Sequence, residues 1–425
     1  MRETKPSEIG IVYFGNDWFG ESRTSSHHIA RLLSEKYSVL YVDVPGLRAP
    51  AGTARDIKKL FRKLMLSLQP PRRIGDRLWH TTVPQIPFRK YKLCRRLNSW
   101  FGRFAVCRAV RVIGPKRLIS WFTVPHPHAL AGQFEESLIV YYCVDDYASF
   151  PGMDEHSVKA MDEDLTRKAD LVFAVSPPLA ESKRLLNPNT VYSPHGVDAA
   201  LFGKAADPET EVPELARGLK RPVIGFFGVI GPWIDIPLLV FLAKSRPDWT
   251  FLLVGFLNTD AGDLKRLPNV VFAGSQPYES LPGWAKAFDI GMIPTLRNRQ
   301  RMNANPLKLR EYLATGKPVV TVSTPATEAF AGAVCLADTP AEFLNGIERE
   351  LAADSPEKQA RRRASVAHAT WEQRVREIDS IAMNALDRSA GEAAKPNICQ
   401  NSEMFGFATD SPCRQFDGTN TTSTQ

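Results

Sequence analysis

The chain has 425 residues, 44% of them hydrophobic and 24% charged, which excludes a wholly disordered or collagen-like polymer. At roughly 100–200 residues per domain, that length allows two or three domains with cores of their own. The net charge of +8 is uneven: Arg55 to Arg117 carries 18 basic residues against two acids, so the rest of the chain is net −8. Six cysteines without any C-x-x-C spacing argue against the familiar zinc ribbons and against a disulfide scaffold. The first residues, MRETKPSEIG, lack the apolar run of a signal peptide, so a reducing cytoplasm is the expected setting.

The first element is the apolar strand IGIVYF (9–14), followed by the loop GNDWFGESRTSS, a helix from about His27 and the strand VLYVDV (39–44). This strand–loop–helix–strand unit is the signature of a parallel sheet. The basic block comes next. In 55–68, Ile57, Leu60, Phe61, Leu64, Met65 and Leu68 share one helical face, with Lys58, Lys59, Arg62 and Lys63 opposite. Two readings stay open: a helix packed on its own domain, or one lying on an anionic membrane or gripping an anionic lipid-linked substrate. Nucleic acid is a poor third, because only bulk charge supports it.

Alternation then resumes with RLISWF (117–122), LIVYYCV (138–144), a charged helix at 154–168 and DLVFAVS (170–176). Residues 204–221 look like a linker, beyond which strands recur at 223–228, 250–255, 270–274, 289–294 and 318–322. The apolar stretch 222–243 is no membrane span, since three prolines, three glycines and Asp235 interrupt it; a strand, a turn and a helix from near Pro237 fit better. Two runs of β/α alternation imply two doubly wound, Rossmann-like α/β domains facing across a cleft. The expected division is 1–205, 206–370, a helix at 371–387 and a disordered polar tail at 388–425.

The stretch NANPLKLREYLATGKPVV (303–320) carries the most chemistry. Asn305-Pro306 starts a helix, Lys308 and Glu311 lie one turn apart near its beginning, and Gly316-Lys317-Pro318 ends it before a buried strand. A helix N-terminus at the carboxyl edge of a parallel sheet suits a diphosphate, and a carboxylate one turn inside suits ribose hydroxyls. A plain exposed ion pair between Lys308 and Glu311 is the competing reading. Asp162-Glu163-Asp164 spells D-x-D but falls mid-helix and reads as a solvated face; no metal site is expected.

With these residues in view, the chain resembles the GT-B glycosyltransferases of the retaining family 4 type, in particular the bacterial cell-surface polysaccharide and glycolipid branch. SPHGVDAALF (193–202) is similar to that family's N-G-V-D-x-x-x-F segment, with His195 in place of the asparagine. ADLVFAVS (169–176) and WEQRVREIDSIA (371–382) also match, the latter resembling a terminal helix that crosses back to the first domain. The resemblance implies a nucleoside-diphosphate sugar as substrate, a glycan or lipid-linked acceptor, no cofactor, no obligatory metal and a peripheral place on the inner membrane face. It points to Gly228, Asn303, Asn305, Lys308, Leu309 and Glu311 for the donor. Gly15, Gly20 and Arg23 would serve an acceptor or phosphate loop, and His126 (His128 second) a catalytic role. Asp145-Asp146 follow the strand LIVYYCV and so point at the cleft edge, with Asp146 expected to orient the acceptor or act as base.

The sequence also departs from the family pattern. The first glutamate of E-x7-E falls on Asn303, and the loop FFGVIGPWID (226–235) lacks the Arg and Lys that often follow this strand. Phosphate charge then falls to backbone amides near Gly228, to Lys308 and to Arg297 or Arg299. These departures keep in play a catalytically weak protein of this fold that binds a membrane or partner. A nucleotide-sugar epimerase on the same fold is the other alternative, but it would need several cleft acids and bases that the sequence does not assemble.

Overall fold

The computed structural model describes residues 8–20, 23–44, 69–83 and 92–393. Its first sheet has eight strands in the order β3 (Arg72–Arg73), β4 (Leu78–Thr82), β2 (Ser38–Asp43), β1 (Ile9–Gly15), β5 (Arg117–Phe122), β6 (Leu138–Cys143), β7 (Leu171–Ala174) and β8 (Thr190–Tyr192). Only the short β3 runs antiparallel. The second sheet has six strands, all parallel, ordered β11 (Val270–Gly274), β10 (Thr250–Val254), β9 (Val223–Phe227), β12 (Ile290–Ile293), β13 (Val319–Thr321) and β14 (Cys335–Leu336).

The central strands form because their sequences are continuous apolar runs, as a strand covered on both faces requires. Every residue of β2, β7, β9 and β10 is buried. Two strands escape that pattern. Arg72–Arg73 is exposed, and LWHTT leaves Trp79 and His80 half-buried near the edge, so neither carries an apolar run. The 22-residue helix Lys92–Ile113 was likewise hidden by its many arginines.

One core lies around the first sheet and is completed from far along the chain. The Trp371–Ala393 helix lays Trp371, Val375, Ile378, Ala382 and Leu386 into it, a stripe at helical spacing. Each larger apolar side chain so buried contributes about 1.5–3 kcal/mol. Buried Asp379 on that helix accepts hydrogen bonds from Lys36 Nζ at 2.7 Å and Tyr37 Oη at 2.9 Å. Separate apolar clusters, one including Trp249 and Phe343 and the other Trp284 and Tyr312, fill the two faces of the second sheet.

The chain passes between the two halves twice, and the passages touch. Val197 N–H donates to Ala369 O at 2.8 Å, and Trp371 N–H donates to Val197 O at 3.3 Å. In each sheet the strand order reverses at one point, between β1 and β5 and between β9 and β12. Crevices at such points, outside the carboxyl ends of the strands, are where open α/β sheets take ligands. The 222–243 stretch is strand β9 followed by the Ile236–Ser245 helix, capped by Asp235, which accepts from Leu238 N–H at 2.8 Å. Among the described residues no helix is long and apolar enough to cross a membrane. Residues 55–68, with Lys58, Lys59, Arg62 and Lys63, and 394–425 of the polar tail lie outside the described residues.

Candidate active site

A cavity of about 550 Å³ opens between the two sheets. Its walls are the segments that leave the carboxyl ends of β1, β6, β9, β10, β12 and β13. That volume lies within the range of ligand pockets.

The second sheet supplies a wall made largely of backbone. Gly228 and Gly255, just past β9 and β10, have φ of 141° and 147°, open to glycine and strained for other residues. A Cβ on Gly255 would stand 1.9 Å from the carbonyl oxygen of Gly228, and one on Gly228 2.6 Å from Lys308 Cε. The two loops therefore close on each other and on Lys308 because neither has a side chain there. The Leu307–Thr315 helix begins at this wall, with Pro306, Leu307 and Lys308 lining the cavity. Among the described residues no side chain caps it, so its first amides stay uncommitted there and its dipole favours an anion. Gly316, at φ 82°, ends the helix in the left-handed conformation.

Glu311 lies one turn in and is buried. Its Oε2 makes no hydrogen bond among the described residues and stands 3.4 Å from Lys308 Nζ. Lys308 also sits 5.8 Å from the centre of the Phe227 ring. Tyr278, which lines the cavity, has its buried hydroxyl unbonded; burial first, then the charge of Glu311, raise its pKa well above the usual tyrosine range.

The facing wall is made of side chains. Arg23 reaches across to Glu279 at 2.9 Å and over the Tyr278 ring at 5.8 Å. Thr24 and Ser25 stand at the start of the Ser25–Leu33 helix, which Thr24 and His27 cap reciprocally. His195 is buried, its Nδ1 unbonded, and its ring lies 6.1 Å from that of Trp371. Burial, aided by Arg310 and Arg374, lowers its pKa to about 3, so the imidazole is neutral at working pH. Asp145 also lines this wall; burial raises its carboxyl to about 6, while Arg301 across the cavity pulls the other way.

The structure brings Gly228, Asn305, Lys308 and Arg23 to the cavity and redistributes the other expected residues. Asp146 does not line it: its Oδ2 accepts from Asn303 Nδ2 at 2.8 Å and pairs with Arg299 Nε at 3.2 Å. Asn303 also accepts a hydrogen bond on its carbonyl from Ser176 Oγ at 2.6 Å, so its side chain and its main chain both bond the first half. The carboxylate in the cavity is Asp145, one residue earlier. Asn305 has its amide committed, donating to Val175 O and accepting from Arg310 Nη1.

Leu309 belongs to the core of the second half, with its N–H donated to Pro306 O at 3.2 Å. His126 is half-buried in the loop after β5 and away from the lining; the imidazole in the cavity is that of His195. His128 instead pairs with Asp164 at 2.6 Å. Gly15 serves packing, since a Cβ there would stand 2.2 Å from Tyr41 Oη, and Gly20 is exposed. Arg297 pairs with Asp338 and Arg299 with Asp146 and Glu155, and neither lines the cavity. Asp162 and Asp164 of the D-x-D run are held by Lys183 and by His128 with Lys168.

Sequence reading put Asp145 beside Asp146 at the cleft edge but chose Asp146, and it missed Arg301, Trp233 and the threonines at 321, 324 and 327; Asp145 and these five line the cavity. The signal for the threonines was local: Thr324 caps the Pro325–Glu328 helix. Asp145 had one as well, standing directly after an apolar strand, but spacing could not separate it from Asp146.

Residues 221–353 match the family described as "Glycosyl transferases group 1". Along 389 residues the chain is 27% identical to the Bacillus subtilis (strain 168) protein named "Putative teichuronic acid biosynthesis glycosyltransferase TuaH", covering 86% of this chain and 94% of that one. Among solved structures, the α,α-trehalose 6-phosphate synthase of Burkholderia multivorans superposes with a TM-score of 0.63 at 12% identity, covering 92% of this chain and all of that one. The sucrose-phosphate synthase of Thermosynechococcus elongatus gives 0.61 at 15%, covering 91% and 99%. At such identities these two structures speak for the fold alone.

Proposed function

We propose that this chain, a glycosyltransferase of the GT-B fold, moves a sugar from a nucleoside-diphosphate donor held by the second sheet to a hydroxyl presented from the first. The observation that carries this reading is the Leu307–Thr315 helix, whose uncapped N-terminus and Lys308 open on the cavity with Glu311 one turn behind. Positive ends of backbone dipoles and an ammonium meet the diphosphate, and the unfilled Glu311 oxygen accepts from ribose hydroxyls. As the bond from the anomeric carbon to the diphosphate breaks, the nucleoside diphosphate departs with the bonding pair, the acceptor oxygen bonds to that carbon and its proton passes to the departing phosphate oxygen, while the same groups stabilise the charge that develops there. Because they supply that stabilisation themselves, no metal is needed in this reading, and the nucleotide sugar is a substrate with no cofactor beside it. Asp145, ionised above about pH 6, orients the incoming hydroxyl from the opposite wall, and its presence in the lining supports giving it the role expected of Asp146. Retention at the anomeric carbon comes from the family resemblance alone.

The name of the Bacillus subtilis relative, which refers to teichuronic acid biosynthesis, supports a cell-surface glycan or its lipid-linked precursor as acceptor. A peripheral place on an anionic membrane surface has support of its own. The Lys92–Ile113 helix exposes Leu93, Leu97, Trp100 and Phe104 along one face, and it contains several arginines and no acid. Isothermal titration with uridine and guanosine diphosphates, paired with a donor-hydrolysis assay, tests the donor reading. Micromolar binding with slow release of diphosphate from the cognate sugar nucleotide is the expected result. Binding without turnover would favour a protein that kept the fold and lost the activity.

A further inference from the structure

Three arginines stand within five residues at the carboxyl end of β12, and their fates differ. Arg297 is paired with Asp338 at 2.9 Å, and Arg299 with Glu155 at 2.6 Å and Asp146 at 3.2 Å; both are more than half exposed. Arg301, on the short Arg299–Asn303 helix, lines the cavity and is largely buried. It has no ion-pair partner among the described residues, and its Nε makes no hydrogen bond. What it does have is an aromatic floor: the guanidinium carbon lies 5.5 Å from the centre of the Trp233 ring, which also lines the cavity. Trp233 comes from the loop after β9, 228–235, a segment without a single Lys or Arg.

A guanidinium taken out of water without a counter-charge is costly, and burial duly lowers its proton affinity, with only Asp145 opposing at longer range. Proteins keep such a group where an anion arrives to complete it. A planar, always-charged fork braced on an indole face is also pre-organised for phosphate oxygens, which it can hold with two parallel hydrogen bonds. The same cavity contains the uncommitted amides at 307–308 and the Lys308 ammonium. Two cations and a helix N-terminus exceed what one carboxylate or a single phosphate needs.

We propose that Arg301, braced on Trp233, receives the diphosphate of the donor and is the second cation of its site, opposite Lys308. The inference rests on the donor reading given above and adds to it a residue that touches the donor directly. The Trp233 face sets the plane of the guanidinium, so lysine at 301 keeps the charge and loses the fork.

Calorimetric titration of the full chain with uridine and guanosine di- and monophosphates and the free nucleosides tests this, using the parent, Arg301→Met and Arg301→Lys. Arg301→Met is expected to weaken diphosphate binding about 10- to 100-fold, monophosphate binding less and nucleoside binding not at all, with Arg301→Lys recovering part of the loss. Its unliganded melting temperature should equal or exceed the parent's, because a desolvated, unpaired charge has been removed. Unchanged diphosphate affinity in Arg301→Met overturns the inference while leaving the donor site in place. A lower melting temperature with equal losses for diphosphate and nucleoside makes Arg301 a strut and overturns it too. A parent that binds none of these nucleotides overturns the donor reading and this inference with it.

Discussion

The two walls of the cleft are built differently. The wall from the second sheet is laid on main chain, two glycines in open φ regions and a helix start with no side-chain cap among the described residues, and Lys308, Trp233 and Arg301 stand beside it. The wall from the first sheet is mainly side chains brought from distant positions: Arg23, Asp145 and His195. Main-chain sites tolerate little, because a single Cβ changes the path of the backbone itself. Side-chain sites tolerate more, and their chemistry is adjusted by burial and neighbouring charge.

Gly255→Ala should therefore have the largest effect on stability. The added carbon would meet the Gly228 carbonyl oxygen at 1.9 Å, in a φ region where alanine is already strained. A loss of about 2–4 kcal/mol in denaturant unfolding is expected. A loss below about 1 kcal/mol would mean that the two loops separate easily and that the contrast between the walls is weak. Glu311→Ala tests the same wall through its ligand. Losing a charge-assisted acceptor should reduce nucleotide binding by about 1.5–3 kcal/mol in titration calorimetry while the melting temperature moves little. Binding equal to the parent would place the donor elsewhere.

The same difference explains what could be read from the sequence. The helix from Leu307, its Gly316 end, Lys308 and Glu311 lie within ten residues, where local rules of capping, dipole and spacing apply directly. The central strands were legible too, because doubly covered strands are unbroken apolar runs. The first wall was not legible in that way. Asp145 and Asp146 are neighbours after one strand, and which of them faces the cavity depends on Asn303 and Arg299 reaching over from the other half to take Asp146. His195 stood out only as a departure from a family motif, and its neutrality comes from burial that no local pattern encodes. Strands β3 and β4 escaped because sheet edges lack the apolar run that betrays a centre.

Asp145→Asn probes the side-chain wall, where stability and activity should part company. Burial holds the Asp145 carboxyl at about 6, above its usual value, so the folded state binds the proton more tightly than the unfolded chain does. Its ionisation therefore costs stability as pH rises towards 6, and the full cost remains above that. The amide carries no charge, so Asp145→Asn should be more stable than the parent by about 1–3 kcal/mol at pH 7–8. That gain should fade as pH drops towards 4, where both proteins are neutral at this position. Sugar transfer should fall in the same variant. Unfolding curves at pH 4.5 and 7.5 decide the matter, and a gain equal at both would show that desolvation of the charge is not its source.

The smallest effect should come from the fastening between the halves, and it asks whether the walls are held at a set distance. Asn303 Nδ2 donates to Asp146 Oδ2 at 2.8 Å across the interface, with Arg299 on the same oxygen. Arg299 is more than half exposed, so its share is screened by water and salt. The Asp146–Asn303 bond is partly buried and worth about 0.5–1.5 kcal/mol. A cycle of Asp146→Ala, Asn303→Ala and the double variant should return a coupling of that size in unfolding experiments. If the pair only fastens, Asn303→Ala should raise KM for donor and acceptor together and leave kcat within a fewfold of the parent. Were Asn303 in contact with the transferred sugar, kcat itself would fall by orders of magnitude, and the residue would return to the role its position in the motif suggests.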